Sequence, residues 1–440
     1  MTAAWIARKG RPLQGDITVP GDKSISHRAI MLAALADGVS RIDGFLEGED
    51  ARATCAIFRQ LGVRIDTPAD GVRIVHGVGI DGLTAPDAAL DCGNAGTGMR
   101  LLAGLLAGQA FSSTLIGDAS LSKRPMRRVM APLAQMGARI EAEANDVPPL
   151  RIHGGNRLHG ITYDNVLASA QVKSALLLAG LYAKGETTVL EPRPTRDYTE
   201  RMLAAFGWPI RFARGHATVS GGHRLRASDV VVPADFSSAA FFLVAASLVP
   251  GSALRLCQVG MNPRRTGLLH VLRQMGADIR EERPGEQGGE PVADLVVRHA
   301  PLHGITVPIE HVADMIDEFP VLFIAAACAE GVTTIGGAAE LRVKESDRIA
   351  VMAEGLRSIG LSSIEETPDG AIITGNRAAL ASGRVHAHGD HRIAMSFAVA
   401  AQVASGDIRI DDVEHVATSF PGFDTLACGA GFGLYAAPPA

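Results

Sequence analysis

A pattern that occurs six times constrains this 440-residue chain more than any single motif does. An extended apolar run passes through a polar turn into an Ala/Leu-rich helix, followed by a Gly and a short β-rich run. The copies run from Ile17 to Ile42, Leu90 to Ile116, Ile161 to Leu190, Val230 to Leu256, Ile305 to Ile335 and Val385 to Ile410. A spacing of roughly 70–80 residues exceeds solenoid periods and suits a whole subdomain. A second helical pattern follows most copies and ends in a Gly placed to close a helix: Leu61-Gly62, Met136-Gly137, Phe206-Gly207, Met275-Gly276 and Ile359-Gly360. The sixth copy reads as cut short, with a Gly-rich tail after Phe423 in place of its second helix. Each repeat therefore reads as strand, helix, strand, helix, strand, which places the chain in the α/β class.

A chain this long exceeds one small core, so two domains are expected. Pro20-Gly21-Asp22 and Pro233-Ala234-Asp235 resemble each other, and each joins an extended run to a helix start. They set the boundaries. Residues 21–234 take repeats one to three, and residues 1–20 with 235–440 take repeats four to six. The chain then crosses twice, near 20–22 and near 233–235, as a natural hinge would. The Gly-rich segment from Pro284 to Pro291 lies inside the fourth repeat and reads as a local hairpin or loop.

A net charge of −5 argues against nucleic acid or an anionic membrane as partner, so any cationic site must be local. The most apolar run, Ala239 to Val249, is too short to span a bilayer, and residues 1–15 lack a signal-peptide core. The chain reads as soluble and cytoplasmic. Its five cysteines are scattered, with no C-x-x-C pair, which suits reduced and mostly buried thiols.

If the repeats are equivalent, so are the turns before their long helices, and those turns hold the unusual residues. They are Lys23-Ser24 with Arg28; Asn94-Ala95-Gly96-Thr97 with Arg100; Ser169-Ala170-Gln171 with Lys173; Asp235 with Ser237-Ser238; Asp314 with Asp317; and Asp390-His391-Arg392. Cations at a helix start oppose the dipole unless an anion is bound there. The plainer reading makes Ser24 or Ser26 an N-cap beside two solvated cations. Gly96 lets a ligand approach the backbone, but its loop is neither a Walker A motif nor a dinucleotide fingerprint, which disfavours ATP and NAD.

Lys123-Arg124-Pro125-Met126-Arg127-Arg128 is either a solvated face or a clamp for a carboxylate or phosphate. Leu341 to Arg348 sets Lys344 and Arg348 one helical turn apart, with Glu345 between them in sequence. It reads as an exposed helix start with ion pairs, or as an acid–base carboxylate among substrate-binding cations. His386, His388 and His391 lack the spacing of a zinc site, and no metal is expected.

With these residues assembled, nearly the whole chain resembles the 5-enolpyruvylshikimate-3-phosphate synthase family. The matching stretches are Gly21-Asp22-Lys23-Ser24, Gly93-Asn94-Ala95-Gly96-Thr97, Lys123-Arg124-Pro125-Met126, Ser169-Ala170-Gln171-Val172-Lys173-Ser174, Arg342 to Arg348 and Asp390-His391-Arg392. The resemblance implies a two-domain inside-out α/β barrel, with three β-α-β-α-β-β units per domain and a ligand cleft between domains. It also implies enolpyruvyl transfer from phosphoenolpyruvate to shikimate 3-phosphate, by a monomer without cofactors. By the same resemblance, Lys23, Ser24, Arg28, Ser169, Ala170, Gln171, Arg196, Asp317 and Lys344 hold shikimate 3-phosphate. Lys23, Gly96, Arg124, Gln171, Arg348 and Arg392 hold phosphoenolpyruvate. Asp317 takes the hydroxyl proton, Glu345 protonates the methylene, and Lys23 also belongs to the catalytic group. On the residues alone, Asp317 reads equally well as a plain N-cap, with Asp314 and Glu318 close by.

Ser169-Ala170-Gln171 and Arg196 to Glu200 look like the family's second bacterial class, with departures. Tyr198 stands where that class usually shows His, and Asn262-Pro263-Arg264-Arg265 deviates from an Asn-Pro-Thr-Arg pattern. Thr418-Ser419-Phe420 lacks the Lys of the first class. Gly96 stands where glyphosate-tolerant members often carry Ala, so glyphosate inhibition is expected. Two rival readings are a UDP-N-acetylglucosamine enolpyruvyl transferase and a non-enzymatic scaffold that binds phosphorylated partners. The first is disfavoured because no Cys lies between Gly117 and Arg124.

Overall fold

The computed structural model describes residues 3–437. By contact the chain divides into two compact units: Gly21–Pro233 with Glu286–Glu290, and a split unit of Met1–Pro20, Ala234–Gly285 and Pro291–Ala440. Each has its own apolar core. At the boundary, the Asp22 amide donates to the Pro233 carbonyl in the first unit, and the Asp235 amide donates to the Pro20 carbonyl in the split unit.

The helices of the Gly21–Pro233 unit are α1 (Lys23–Leu35), α2 (Glu49–Gln60), α3 (Gly96–Ala107), α4 (Arg127–Gln135), α5 (Ala170–Gly180) and α6 (Tyr198–Ala205). Those of the split unit are α7 (Phe236–Leu248), α8 (Gly267–Gln274), the single turn α9 (Ile309–Val312), α10 (Phe319–Cys328), α11 (Arg348–Ser358), α12 (His391–Ala401) and α13 (Phe423–Ala430). In each repeat the first long helix is apolar all round and buried. All of α7 is buried, and so are α1 from Ile25 onward and every residue of α12. Such a helix can only sit inside a core. The second helix of each repeat is amphipathic and covers the outside, as α4 does with Val129, Pro132 and Leu133 inward.

The closing glycines behave as their positions predict. Gly62, Gly137, Gly207, Gly276 and Gly360 all adopt positive φ, from +78° to +103°, one residue past a helix C-cap. That is the left-handed stop which only Gly takes without strain. Close packing uses glycine too. Gly104 on α3 lies so near α5 that a Cβ there would stand 2.1 Å from the Ala175 carbonyl oxygen.

Among the described residues six small sheets, one per repeat, carry these helices. Their common plan is a parallel first pair followed by antiparallel strands. Leu90–Asp91 runs parallel to Ser113–Ile116, which pairs antiparallel with Val147–Ile152 and then Ile140–Glu143. Thr162–Asp164, Glu186–Leu190, His216–Ser220 and Ile210–Ala213 repeat the plan. In the fifth repeat, Val332–Ile335, Gly370–Thr374 and Ile364–Thr367 form the antiparallel part, with only isolated parallel bridges such as Thr306 to Thr334 before it.

The structure departs from the sequence reading in how three repeats are completed. The strand Gln14–Ile17, which leads into the first copy, pairs with Ala253–Gly260 of the fourth. Conversely, Leu225–Arg226 and Val230–Val231, which lead into the fourth copy, lie parallel to Ala36–Asp43 of the first. The sixth copy is not cut short: it has a real second helix, α13, and a final strand, Gly433–Ala436. Its sheet is completed by the strand Ala4–Arg8, inserted between Ile408–Asp411 and Gly433–Ala436. The segment around Pro284 is a hairpin, Asp278–Gln287 to Glu290–Arg298, turning through Gly288-Gly289 at positive φ. The cysteines are all free, but only Cys55 and Cys92 are fully buried, and Cys428 is exposed. Among the described residues no helix is long and apolar enough to cross a membrane.

Candidate functional site

The residues singled out from the sequence fall into two clusters, one in each unit. In the Gly21–Pro233 unit they gather at the starts of α1, α3 and α5. Asp22 caps α1, its Oδ1 accepting from the Ile25 amide at 2.9 Å. Neither Ser24 nor Ser26 is the cap, and Lys23 opens the helix itself. The Lys23 ammonium lies 3.0 Å from Asp50 Oδ2 on α2, an acid that the sequence reading had not picked out. Tyr198 donates its hydroxyl to Asp22 Oδ2 across 3.1 Å, tying α6 to the cap of α1.

Arg28 is buried one helical turn on, and each of its nitrogens is engaged. Nε donates to Thr199 Oγ1 (2.7 Å), Nη2 to Ser174 Oγ (2.8 Å) and Nη1 to the Ser24 carbonyl (2.8 Å). Burial lowers its pKa, against the pull of Glu200 and Asp22. Beneath it Lys173 is buried between two carboxylates, 2.8 Å from Glu191 and 2.7 Å from Glu200. Burial opposes the Lys173 charge, but the two acids outweigh it and hold the ammonium above the ordinary lysine pKa.

Gln171 joins α5 to α3. Its Nε2 donates to Thr97 Oγ1 (2.9 Å), and its Oε1 accepts from Arg100 Nη1 (2.9 Å). Arg124 donates to Asn94 Oδ1 (2.8 Å) and Ser120 Oγ (3.0 Å). Gly96 lies under both guanidinium groups: a Cβ there would stand 3.1 Å from Arg124 Nη1 and 3.2 Å from Arg100 Nη1. Ser169 caps α5, Ala170 opens it, and Arg196 is half-buried in the turn before α6. Of the basic run at 123–128, Arg124 is buried, whereas Lys123 and Arg127 are exposed. The cluster thus offers cations, amide donors and helix N-termini, the equipment for holding a multiply charged anion.

In the split unit the acids and cations interlock. Arg348 is buried, and it spans three carboxylates. Nε lies 2.8 Å from Asp390 Oδ2, Nη2 2.7 Å from Glu345 Oε2 and Nη1 3.5 Å from Asp317 Oδ1. Burial alone would weaken this cation, but Asp390, Glu345 and Asp317 raise its pKa above that of a free arginine. Asp390 caps α12 through the Arg392 amide at 3.0 Å. Arg392 Nη1 reaches the Asp317 carbonyl at 3.3 Å. Lys344 is half-buried nearby; desolvation lowers its pKa in spite of Asp317 and Glu340.

Two readings need correcting here. Asp317 is not an N-cap, because Glu318 occupies that position of α10 and makes no side-chain cap bond. Lys344 and Arg348 are not one turn apart on a helix. Asp347 caps α11, which begins at Arg348, and Lys344 precedes the cap in extended conformation. Arg265, noted in the sequence only as part of an altered motif, proves to be buried against Asp235, Ser237, Asp317 and Glu318. No local signal marked it, because its acidic partners lie far off in sequence, at the starts of α7 and α10. His386 and His388 lie on the surface outside the cluster, and Thr418 is buried, donating to the His415 carbonyl.

Residues 7–426 match the family model described as EPSP synthase (3-phosphoshikimate 1-carboxyvinyltransferase). A 3-phosphoshikimate 1-carboxyvinyltransferase of Xanthomonas campestris pv. campestris (strain 8004) is 67% identical over 437 residues, 99% of each chain. One from Xanthomonas oryzae pv. oryzae (strain PXO99A) is 67% identical over 436 residues, 99% of this chain and 98% of the other. The solved EPSP synthase of Acinetobacter baumannii superposes with a TM-score of 0.88 at 51% identity, covering 99% of this chain and 100% of that one. The enolpyruvyl transferase NikO of Streptomyces tendae shares the fold, with a TM-score of 0.76 at 21% identity.

Proposed function

The chain belongs to the EPSP synthase family, and from that premise we infer that it is a 3-phosphoshikimate 1-carboxyvinyltransferase. It transfers the enolpyruvyl group of phosphoenolpyruvate to the 5-hydroxyl of shikimate 3-phosphate and releases phosphate. The observation that carries this reading is the match along nearly the entire chain to relatives with that activity in their names.

In the proposed course the 5-hydroxyl oxygen attacks C2 of phosphoenolpyruvate as the methylene carbon gains a proton, giving a tetrahedral intermediate. Elimination then breaks the C2–O bond to phosphate, and a methyl proton leaves. Asp317 accepts the hydroxyl proton, and Glu345 delivers and later recovers the proton on carbon. Lys23, Ser24, Arg28, Ser169, Ala170, Gln171, Arg196, Asp317 and Lys344 are assigned to shikimate 3-phosphate. Lys23, Gly96, Arg124, Gln171, Arg348 and Arg392 are assigned to phosphoenolpyruvate. The buried anchorage of Arg28, and of Arg348 through Asp390, supports these roles, because a guanidinium fixed on one side holds an oxyanion on the other with little reorganisation. Arg348 must loosen from Glu345 for that acid to reach carbon, and an incoming anion competes for the same guanidinium. We read the enzyme as a cytoplasmic monomer without a cofactor.

Phosphate release with both substrates, followed by a coupled assay, tests the proposal. Release that requires shikimate 3-phosphate and phosphoenolpyruvate together is the expected result. No release with the pair would refute the reading.

A further inference from the structure

We propose that Arg265 is a positioning residue for Asp317, held in place by Asp235, Ser237 and Glu318. The inference rests on the reading in which Asp317 receives the hydroxyl proton.

Asp317 lies between the 3-10 turn Ala313–Met315 and the start of α10, so no regular hydrogen-bond ladder fixes it. Its carboxylate needs partners to hold one orientation, and a proton acceptor displaced by an ångström loses much of its rate. Arg265 supplies such a partner. Its side chain is 3% exposed, and Nη1 lies 3.5 Å from Asp317 Oδ2. Arg348 faces the other oxygen, Oδ1, also at 3.5 Å. These separations are long for hydrogen bonds, so the two guanidinium groups orient the carboxylate chiefly by charge.

What fixes Arg265 is its far side. Nη2 donates to Asp235 Oδ1 (3.1 Å) and to Ser237 Oγ, and the same Ser237 hydroxyl donates to Glu318 Oε1. Glu318 is wholly buried, its Oε1 3.6 Å from Arg265 Nη1, and its Oε2 makes no hydrogen bond among the described residues. The first turn of α7, the 262–265 turn and the start of α10 are thereby locked around one planar cation. Arg264, the residue that departs from the family pattern, adds a tether to the same acidic turn through Asp314 at 3.2 Å. A lysine could balance the charge here, but its single ammonium could not reach Asp235 and Asp317 with separate, fixed donors.

The test compares wild type, Arg265→Lys, Arg265→Gln, Ser237→Ala, Asp317→Asn and the double variant Arg265→Gln/Asp317→Asn in steady state with both substrates. Arg265→Lys and Arg265→Gln should each lower kcat about 10–100-fold and leave both KM values within about twofold. Adding Arg265→Gln to Asp317→Asn should cost nothing further, because the positioned group is already disabled. Near-normal kcat in Arg265→Lys, or losses that multiply in the double variant, would overturn the proposal. Ser237→Ala leaves every charge in place. If the Arg265 variants do not fold, a several-fold fall in its kcat at unchanged KM supports the proposal, and an unchanged kcat overturns it. A wild type inert toward both substrates, or an active Asp317→Asn, would instead defeat the functional reading underneath.

Discussion

Asp317 and Glu345 share one guanidinium. Arg348 places Nη1 3.5 Å from the first carboxylate and Nη2 2.7 Å from the second, while Asp390 grips its Nε at 2.8 Å. The two groups assigned to opposite proton transfers are therefore linked through a third side chain, which Asp390 anchors from behind. Coupling of this kind makes substitutions at the three positions interdependent.

Replacing Asp317 with Ala should lower turnover by about 10²–10⁴-fold, the usual worth of a general base, with much smaller changes in either KM. Initial-rate measurements over both substrates check this, and a near-normal kcat would remove Asp317 from the proton path.

Gly96→Ala introduces a methyl 3.1 Å from Arg124 Nη1 and 3.2 Å from Arg100 Nη1. Both are side-chain ends and not backbone, so the helix will persist and the guanidinium groups will shift, straining their bonds to Asn94, Ser120 and Gln171. Weakening one charge-assisted hydrogen bond costs about 1.5–3 kcal/mol, so KM for phosphoenolpyruvate should rise roughly tenfold or more. Wild type should be inhibited by glyphosate, and Gly96→Ala should need a much higher concentration for the same inhibition. Equal inhibition curves for the two proteins would refute this.

Asp390→Ala removes the buried two-point partner of Arg348 and the cap of α12 in one step. Breaking a buried ion pair by deleting one member costs about 3–5 kcal/mol, and losing the cap adds about 1 kcal/mol. Urea unfolding should show a midpoint well below that of wild type. A midpoint within error of wild type would mean that the remaining acids suffice for Arg348.

His27 makes stability depend on pH. Burial, then Lys23 and Arg28, lower its pKa from 6.5 to about 3, so the folded chain keeps it neutral where the unfolded chain protonates it. The unfolded state therefore binds more protons below pH 6.5. The contribution is intact above that pH and is lost as pH falls toward 3, by up to about 1.4 kcal/mol per pH unit. Unfolding free energies measured at about pH 7.5 and pH 5 should fall less for His27→Gln than for wild type. Equal losses would assign the acid sensitivity to other groups.

Much of this was legible in the sequence because it is local. A Gly after an amphipathic run, as at Gly62 or Gly276, announces a left-handed helix end, and all five such positions adopt it. Lys23 and Arg392 stood out because cations are unusual at helix starts, and Gly96 and Gln171 because they occupy the equivalent turns of the second and third repeats. Pairings between distant segments leave no such trace. Nothing near Leu225 indicates that it lies against Ala36, and nothing near Ala4 indicates Asp411. Buried charge was equally hidden: Asp50, Glu191, Glu200 and Arg265 look like surface residues until their partners are known. The cap of α1 differs from that reading because Asp22, one residue before Lys23, takes the place that Ser24 or Ser26 was expected to fill.

The strand Ala4–Arg8, hydrogen-bonded on both edges by segments beyond Ile408, puts an order on biosynthesis. A chain made amino end first has all of the Gly21–Pro233 unit except Glu286–Glu290 in hand by Pro233. The opening strand must wait through some four hundred further codons for its neighbours. Until then neither edge of it is paired. A bulky fusion at the amino end would burden the last step of maturation, and a carboxyl-terminal truncation removing Gly433–Ala436 would strip one edge of that strand bare.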